Sequence, residues 1–153
     1  MKMSDELLEL LDTAIYKEIA AQAFYIAGQE RTNDTGAQTL MQELAEEELH
    51  HQKWLTGLKD KGTEKLHWNK EKVSNLMISE YLVGGDSLAD ASLQDTLIFA
   101  IKREQQAVEF YSRMISAIHN QNAKHLCEQL VHQELRHKLK LEIFYDDMYY
   151  RED

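Results

Sequence analysis

Ala14-Ile15-x-x-Glu18-x-x-Ala21-x-x-Phe24-Tyr25 is followed, thirty residues after its glutamate, by Glu48-Leu49-His50-His51. Eighty-six residues further on the same text returns as Ala100-Ile101-x-x-Glu104-x-x-Ala107-x-x-Phe110-Tyr111, and thirty residues after Glu104 stands Glu134-Leu135-Arg136-His137. The offset also pairs Leu7 with Leu93, Leu11 with Leu97, Leu40 with Leu126, Leu44 with Leu130 and Leu55 with Leu141. A single Glu-x-x-His carries little weight in a chain this acidic. Glu47/His50 and Glu64/His67 have the spacing too and are read as coincidences. A lone Glu followed by Glu-x-x-His, written twice with the same apolar framing, reads as a two-metal site at the centre of a four-helix bundle.

The residues around each motif fall on helical stripes. Leu7, Leu11, Ala14, Ile15, Glu18, Ala21 and Tyr25 recur at spacings of three and four, which places them on one face of a helix reaching about Gln29. Ser4-Asp5-Glu6 supplies its capping residue and N-terminal acids. Thr35-x-x-Gln38 fits a capping box for a second helix with the stripe Leu40, Leu44, Glu48, His51, Leu55 and Leu58, running to about Lys61 with Gly62 as its C-cap. That stripe separates the overlapping motifs, because Glu48/His51 continues the leucine face and Glu47/His50 lies towards its flank. Leu93, Leu97, Ala100, Ile101, Glu104, Ala107, Tyr111 and Ile115 form a third stripe, with Ser87-x-x-Asp90 and Ser92-x-x-Asp95 as competing starts. After a turn at Asn120-Gln121-Asn122, the face Leu126, Leu130, Glu134, His137, Leu141, Phe144 and Met148 forms the fourth, and the tail from Asp146 is expected to fray.

About thirty residues, 62–91, separate the two halves, far more than a helix–helix turn takes. Trp68, Leu76, Met77, Tyr81, Leu82 and Val83 supply apolar anchors there, which predicts a crossover along the outside of the bundle with a short helix near 70–82.

Helices joined by a short turn run antiparallel, so residues equally far from the turn lie side by side. Glu18 and Glu48 each sit about 22 Å from the bend near Asn33, at 1.5 Å per residue. Glu104 and Glu134 do the same about the bend near residue 119. A pseudo-two-fold axis between the halves then gathers four carboxylates and two imidazoles in one core. Within Glu-x-x-His, residues i and i+3 leave one helix face together, so each helix offers an oxygen and a nitrogen to neighbouring metals. Such a mixed shell suits iron or manganese.

Composition narrows the classes. The chain has 153 residues, no proline, six glycines and a net charge of −10, which favours one domain of long helices over residues 1–153. An acidic surface argues against general binding to nucleic acid or anionic membranes. No stretch approaches a membrane span, and the N-terminus lacks the apolar core of a signal peptide. One cysteine, Cys127, excludes an intramolecular disulfide framework and fits a reducing cytoplasm. It is read as a small buried residue.

With Glu18-x5-Phe24-Tyr25, Leu44-Ala45-Glu46-Glu47-Glu48-Leu49-His50-His51, Glu104-x5-Phe110-Tyr111 and Glu134-x-x-His137 in place, the chain resembles the rubrerythrin-like branch of the ferritin-like superfamily over essentially its whole length. The resemblance implies a ferritin-like all-α four-helix bundle with a long crossover between helices 2 and 3. It implies two iron ions, with Glu48 and Glu134 bridging, Glu18 and Glu104 as terminal carboxylates, and His51 and His137 giving one nitrogen each; manganese or a mixed pair fits the same shell. The implied activity is oxidoreduction, with hydrogen peroxide or dioxygen as substrate. Two departures stand out. There is no Cys-x-x-Cys pair, so electrons must come from an external donor such as a rubredoxin-type protein. Ile101 occupies the place of the extra glutamate that rubrerythrins use in a redox-dependent ligand switch.

Other readings of the same residues stay open at this point. The glutamates and histidines also fit two buried Glu–His pairs without metal, although that leaves the duplicated register unexplained. Tyr25 and Tyr111 are either hydrogen-bond donors to the site or core tyrosines. Beside peroxide reduction stand ferritin-type iron oxidation with storage and a metal-binding bundle without turnover. The fourth helix ends near residue 149, leaving no fifth helix of the kind found in ferritin cages, so the expected assembly is small, a homodimer.

Overall fold

Stripes of apolar residues three and four apart are buried only when the segment is helical and its stripe meets another. Four such segments make this fold. The computed structural model describes residues 5–60, 91–119 and 121–150, with α1 at Asp5–Arg31, α2 at Thr35–Asp60, α3 at Leu93–Ala117 and α4 at Gln121–Tyr149. The architecture is an all-α four-helix bundle. Helix α1 packs along α2 and α3 along α4, while α2 also meets α4. The crossover anchors, the short helix near 70–82, the Gly62 cap, and the starts at Ser4 and Ser87 lie outside the described residues.

The local signals explain most of the boundaries. Ser92 caps α3, its hydroxyl accepting from the Asp95 amide at 3.1 Å, with Asp95 in the first turn. The capping box expected at Thr35 is corrected by one residue. Asp34 caps α2, accepting the Ala37 amide on its carboxylate at 2.8 Å, while the Gln38 side chain turns back to the Thr32 carbonyl. A carboxylate is the better acceptor at the positive end of a helix, and Thr35 becomes the first helical residue. At the other end of the chain, α4 stays helical through Tyr149 rather than fraying from Asp146. Met148, expected on the core face, is exposed, because α4 has by then outrun its neighbours.

The core divides into two apolar plugs. Leu10, Leu11, Ala14, Leu55, Phe110, Met114, Cys127 and Leu130 form part of one. Leu40, Met41, Leu44, Leu97, Ala100 and Leu141 form much of the other, with Ile101 packed against it. Along α1 the first plug precedes Glu18 and the second includes Tyr25. The polar layer therefore lies in the middle of the bundle with hydrocarbon above and below.

Candidate metal centre

Each half of the chain delivers its share of that layer in the same way. Glu18 and Glu104 project from the middles of α1 and α3. Glu48/His51 and Glu134/His137 project from the facing turns of α2 and α4. All six are buried, none more than 2% exposed. Among the described residues these are the only buried acidic or histidine side chains, so the structure brings together every glutamate and histidine that the repeat singles out.

Distances reproduce the two-fold pattern. His51 Nδ1 lies 3.5 Å from Glu18, 3.4 Å from Glu48 and 3.1 Å from Glu134. His137 Nδ1 lies 3.6 Å from Glu104, 3.2 Å from Glu134 and 2.9 Å from Glu48. Glu48 and Glu134 thus reach both histidines, whereas Glu18 and Glu104 each reach one. The two imidazole rings stack at 5.4 Å with 12° between their planes.

Glu18 and Glu104 are held from the opposite half. Tyr25 donates its hydroxyl to Glu104 Oε1, and Tyr111 donates to Glu18 Oε1, both at 2.5 Å. Burial and the surrounding carboxylates push both phenols far above their ordinary range, so they remain donors. Around them the repeat continues through the two phenylalanines into Lys17 and Arg103, which the motif spacing did not flag. Phe24 packs edge-on against Tyr25 and lies under Arg103, and Phe110 packs edge-on against Tyr111 and lies under Lys17. Lys17 and Arg103 are themselves one repeat apart, so the 86-residue offset held the signal.

The electrostatics are those of charges crowded in a dry core. Burial raises Glu134 to about 8, with Glu104 adding to the effect. Burial, then the charges of Glu134 and Glu18, push Glu48 up as well. Glu18 goes the other way: burial opposes ionisation, but contacts with His51, Glu48 and Tyr111 together outweigh it. His137 is held protonated by Glu104, Glu134, Glu47 and Glu48 against the penalty of burial.

Hydrogen bonding identifies which atoms the protein leaves uncommitted. Glu18 Oε2, Glu48 Oε1, His51 Nδ1, Glu104 Oε2, Glu134 Oε1 and His137 Nδ1 are buried without a hydrogen-bond partner, one atom from each of the six residues. A buried polar group left unmatched costs about 1–3 kcal/mol and more when charged, so six converging on one point call for a cation. Glu48, His51, Glu134 and His137 place their ligand atoms within 4.8 Å of one another, a group that could hold a metal ion. Oxygen and nitrogen donors without sulfur fit hard or borderline divalent ions.

Glu47 is the residue that pattern reasoning passed over. His50 is exposed, so Glu47/His50 is no motif, yet Glu47 is half-buried and its Oε2 lies 3.0 Å from His137 Nε2. Cys127 is fully buried, as expected of a small buried residue, and His119, His125 and His132 are exposed. Gly28, Arg31, Thr32, Asn33 and Thr96 line a small cleft of about 140 Å³ at the α1–α2 bend, well apart from the carboxylate layer in sequence.

Fold and site together define a ferritin-like bundle with a buried cluster able to hold a metal pair. The rubrerythrin family model matches residues 9–145, and the chain belongs to that family. Its fold is similar to that of a hypothetical protein from Pyrococcus furiosus, at 25% identity and a TM-score of 0.68, over 90% of this chain and 87% of that one. It is also similar to a two-domain protein from Anabaena variabilis containing DJ-1/ThiJ/PfpI-like and ferritin-like domains. That likeness, at 16% identity and a TM-score of 0.70, covers 97% of this chain and 42% of the other, and speaks for the fold alone. No curated protein sequence matches the chain. None of the described helices is long and apolar enough to cross a membrane.

Proposed function

We propose that the protein holds two iron ions through Glu18, Glu48, His51, Glu104, Glu134 and His137 and reduces hydrogen peroxide, or dioxygen, with electrons from an external donor such as a rubredoxin-type protein. The observation that carries this reading is the set of six uncommitted buried atoms, one on each of those residues. Glu48 and Glu134, each within 3.4 Å of both histidine Nδ1 atoms, would be the carboxylates shared by the two ions. Glu18 and Glu104 are terminal, and manganese or a mixed pair fits the same donors.

When bound, a ferrous pair supplies the two electrons that, with two protons, convert hydrogen peroxide to two waters. The chain supplies the setting. Tyr25 and Tyr111 fix one oxygen of each terminal carboxylate and leave the other facing inwards. The apolar plugs exclude bulk water, which strengthens every charge interaction in the layer. A free, buried thiol fits a cytoplasmic setting, and the assembly proposed is a homodimer.

Anaerobic reconstitution with ferrous iron, followed by elemental analysis, tests the site: it should give about two irons per chain, as the bundle class holds. Glu48→Ala combined with Glu134→Ala should abolish loading, and negligible iron in the unaltered protein would sink the reading. Stopped-flow oxidation of the reduced protein should run faster with peroxide than with dioxygen, with light scattering giving the mass of a dimer. A closed many-subunit shell retaining a mineral load would move the assignment to storage.

A further inference from the structure

Around the carboxylate layer several pairs of residues match across the repeat, whereas the outer sides of the two histidines differ. Tyr25 mirrors Tyr111, Phe24 mirrors Phe110 and Lys17 mirrors Arg103, each pair with equivalent contacts. The residue one repeat away from Glu47 is Gln133, and the residue one repeat away from Lys140 is Trp54. Glu47 Oε2 lies 3.0 Å from His137 Nε2 and 3.8 Å from Lys140 Nζ. Trp54 stacks on His51 at 5.6 Å, and among the described residues the carboxylate contacts of His51 all run through Nδ1.

We propose that Glu47 is a positioning residue for the His137 ring, and that the Glu47/Gln133 difference makes the His137 side the tighter of the two metal positions. The proposal rests on the reading of the six residues as ligands of two metals.

An imidazole that gives one nitrogen to a metal carries its proton on the other, and the partner of that N–H fixes the tautomer and the ring plane. His137 turns Nδ1 to the centre and Nε2 to Glu47. Beyond the six inward atoms, the buried side-chain atoms without a formed hydrogen bond are His137 Nε2 and Glu47 Oε2, which face each other. An anionic acceptor on the far nitrogen also makes the near one a stronger donor. Gln133 brings no charge to the equivalent position. Lys140 Nζ lies 3.8 Å from the same Oε2 of Glu47, so that one oxygen faces both the histidine and the lysine. A surface pair with Lys140 alone is worth little, and the shorter contact is the one to the histidine.

The test is an anaerobic titration of the full chain with manganous ion, read by calorimetry and by electron paramagnetic resonance of the free ion. The unaltered protein should show two distinguishable constants. Glu47→Gln keeps size and loses charge, and should weaken the tighter constant by about 10–100-fold while sparing the weaker one. Gln133→Glu should strengthen the weaker constant, a gain that a merely structural role for position 47 does not predict. Glu46→Gln, at an exposed neighbouring carboxylate, should change neither. The thermal midpoint of the metal-free variants monitors folding. Glu47→Gln leaving both constants unchanged, or weakening both equally, overturns the proposal. An unaltered protein that binds no manganous ion overturns the ligand reading itself and the proposal with it.

Discussion

Tyr111 on α3 donates its hydroxyl to Glu18 on α1, and the bond is returned, one repeat away, from Tyr25 to Glu104 at the same 2.5 Å. The α1–α3 interface is thus stitched by two buried bonds to carboxylates, flanked by Lys17 over Phe110 and Arg103 over Phe24. Each half of the chain supplies the donor that orients the other half's terminal glutamate.

Removing either hydroxyl leaves a buried carboxylate oxygen without its donor. Tyr25→Phe and Tyr111→Phe should each destabilise the metal-free protein by about 1.5–3 kcal/mol, the range for bonds to charged groups. The matched geometry requires the two losses to be similar. Urea unfolding followed by circular dichroism checks this, and a large loss from only one substitution would contradict equivalent roles.

The stability of the metal-free protein should fall as pH rises. Glu134 is raised to about 8 and Glu48 is also raised, so over the mildly acidic to neutral range the folded state holds protons that the unfolded state has released. His137, raised as well, acts in the same direction above its ordinary range. Glu47, lowered to about 2 chiefly by its contact with His137, and Glu18, also lowered, are ionised in both states over that window and contribute a constant. Thermal midpoints should therefore decline from about pH 5.5 to 8.5, and divalent metal should bind more tightly as the same protons leave. A midpoint that climbs across this window would contradict the assignment.

Gly28 sits where α1 meets the second apolar plug, and a Cβ there would lie 2.6 Å from Met41 Sδ. Alanine improves helix propensity by about 1 kcal/mol, but overpacking a filled core costs about 1–3 kcal/mol. The clashing atoms are the far end of the flexible Met41 side chain, which is 1% exposed, so Gly28→Ala should be at most mildly destabilising. Its cost should shrink in a Met41→Ala background, a coupling that a double-mutant cycle by denaturant unfolding measures.

Cys127 is fully buried, and burial pushes its thiol up to about 12. A thiol so protonated is a poor nucleophile. Colorimetric thiol titration of the native protein near pH 8 should show almost no fast reaction, with full reactivity on unfolding in urea. Rapid native labelling would place this residue at an accessible surface.

Most of the fold and six residues of the cluster were legible because the leucines and the buried glutamates and histidines share one stripe on each helix. Leu40, Leu44, Leu55 and the buried Glu48 and His51 obey one period, so the face that must be buried also names the charges buried with it. Glu47 escaped because it lies on the flank, where periodicity does not separate a solvated carboxylate from one that reaches back to a neighbouring helix. The Asp34 cap was missed for a related reason. Thr35-x-x-Gln38 fits a capping pattern as sequence, and only the backbone shows that the chain turns one residue earlier. The tyrosine donors depended on which helices lie side by side, a relation that spacing within a helix does not carry.

The 86-residue offset also has an ancestral reading. One hairpin with its Glu, its Glu-x-x-His and its Tyr is a complete half-site, and two copies about a dyad need nothing more. In a dimer of identical hairpins every substitution appears twice, so the two halves of the cluster stay alike by necessity. Once both copies lie in one chain, each can change alone. Glu47 against Gln133, and Trp54 against Lys140, are positions where these copies have parted. Joining the copies in one chain thus opens a freedom that two identical hairpins lack, a division of labour between the two halves of the cluster.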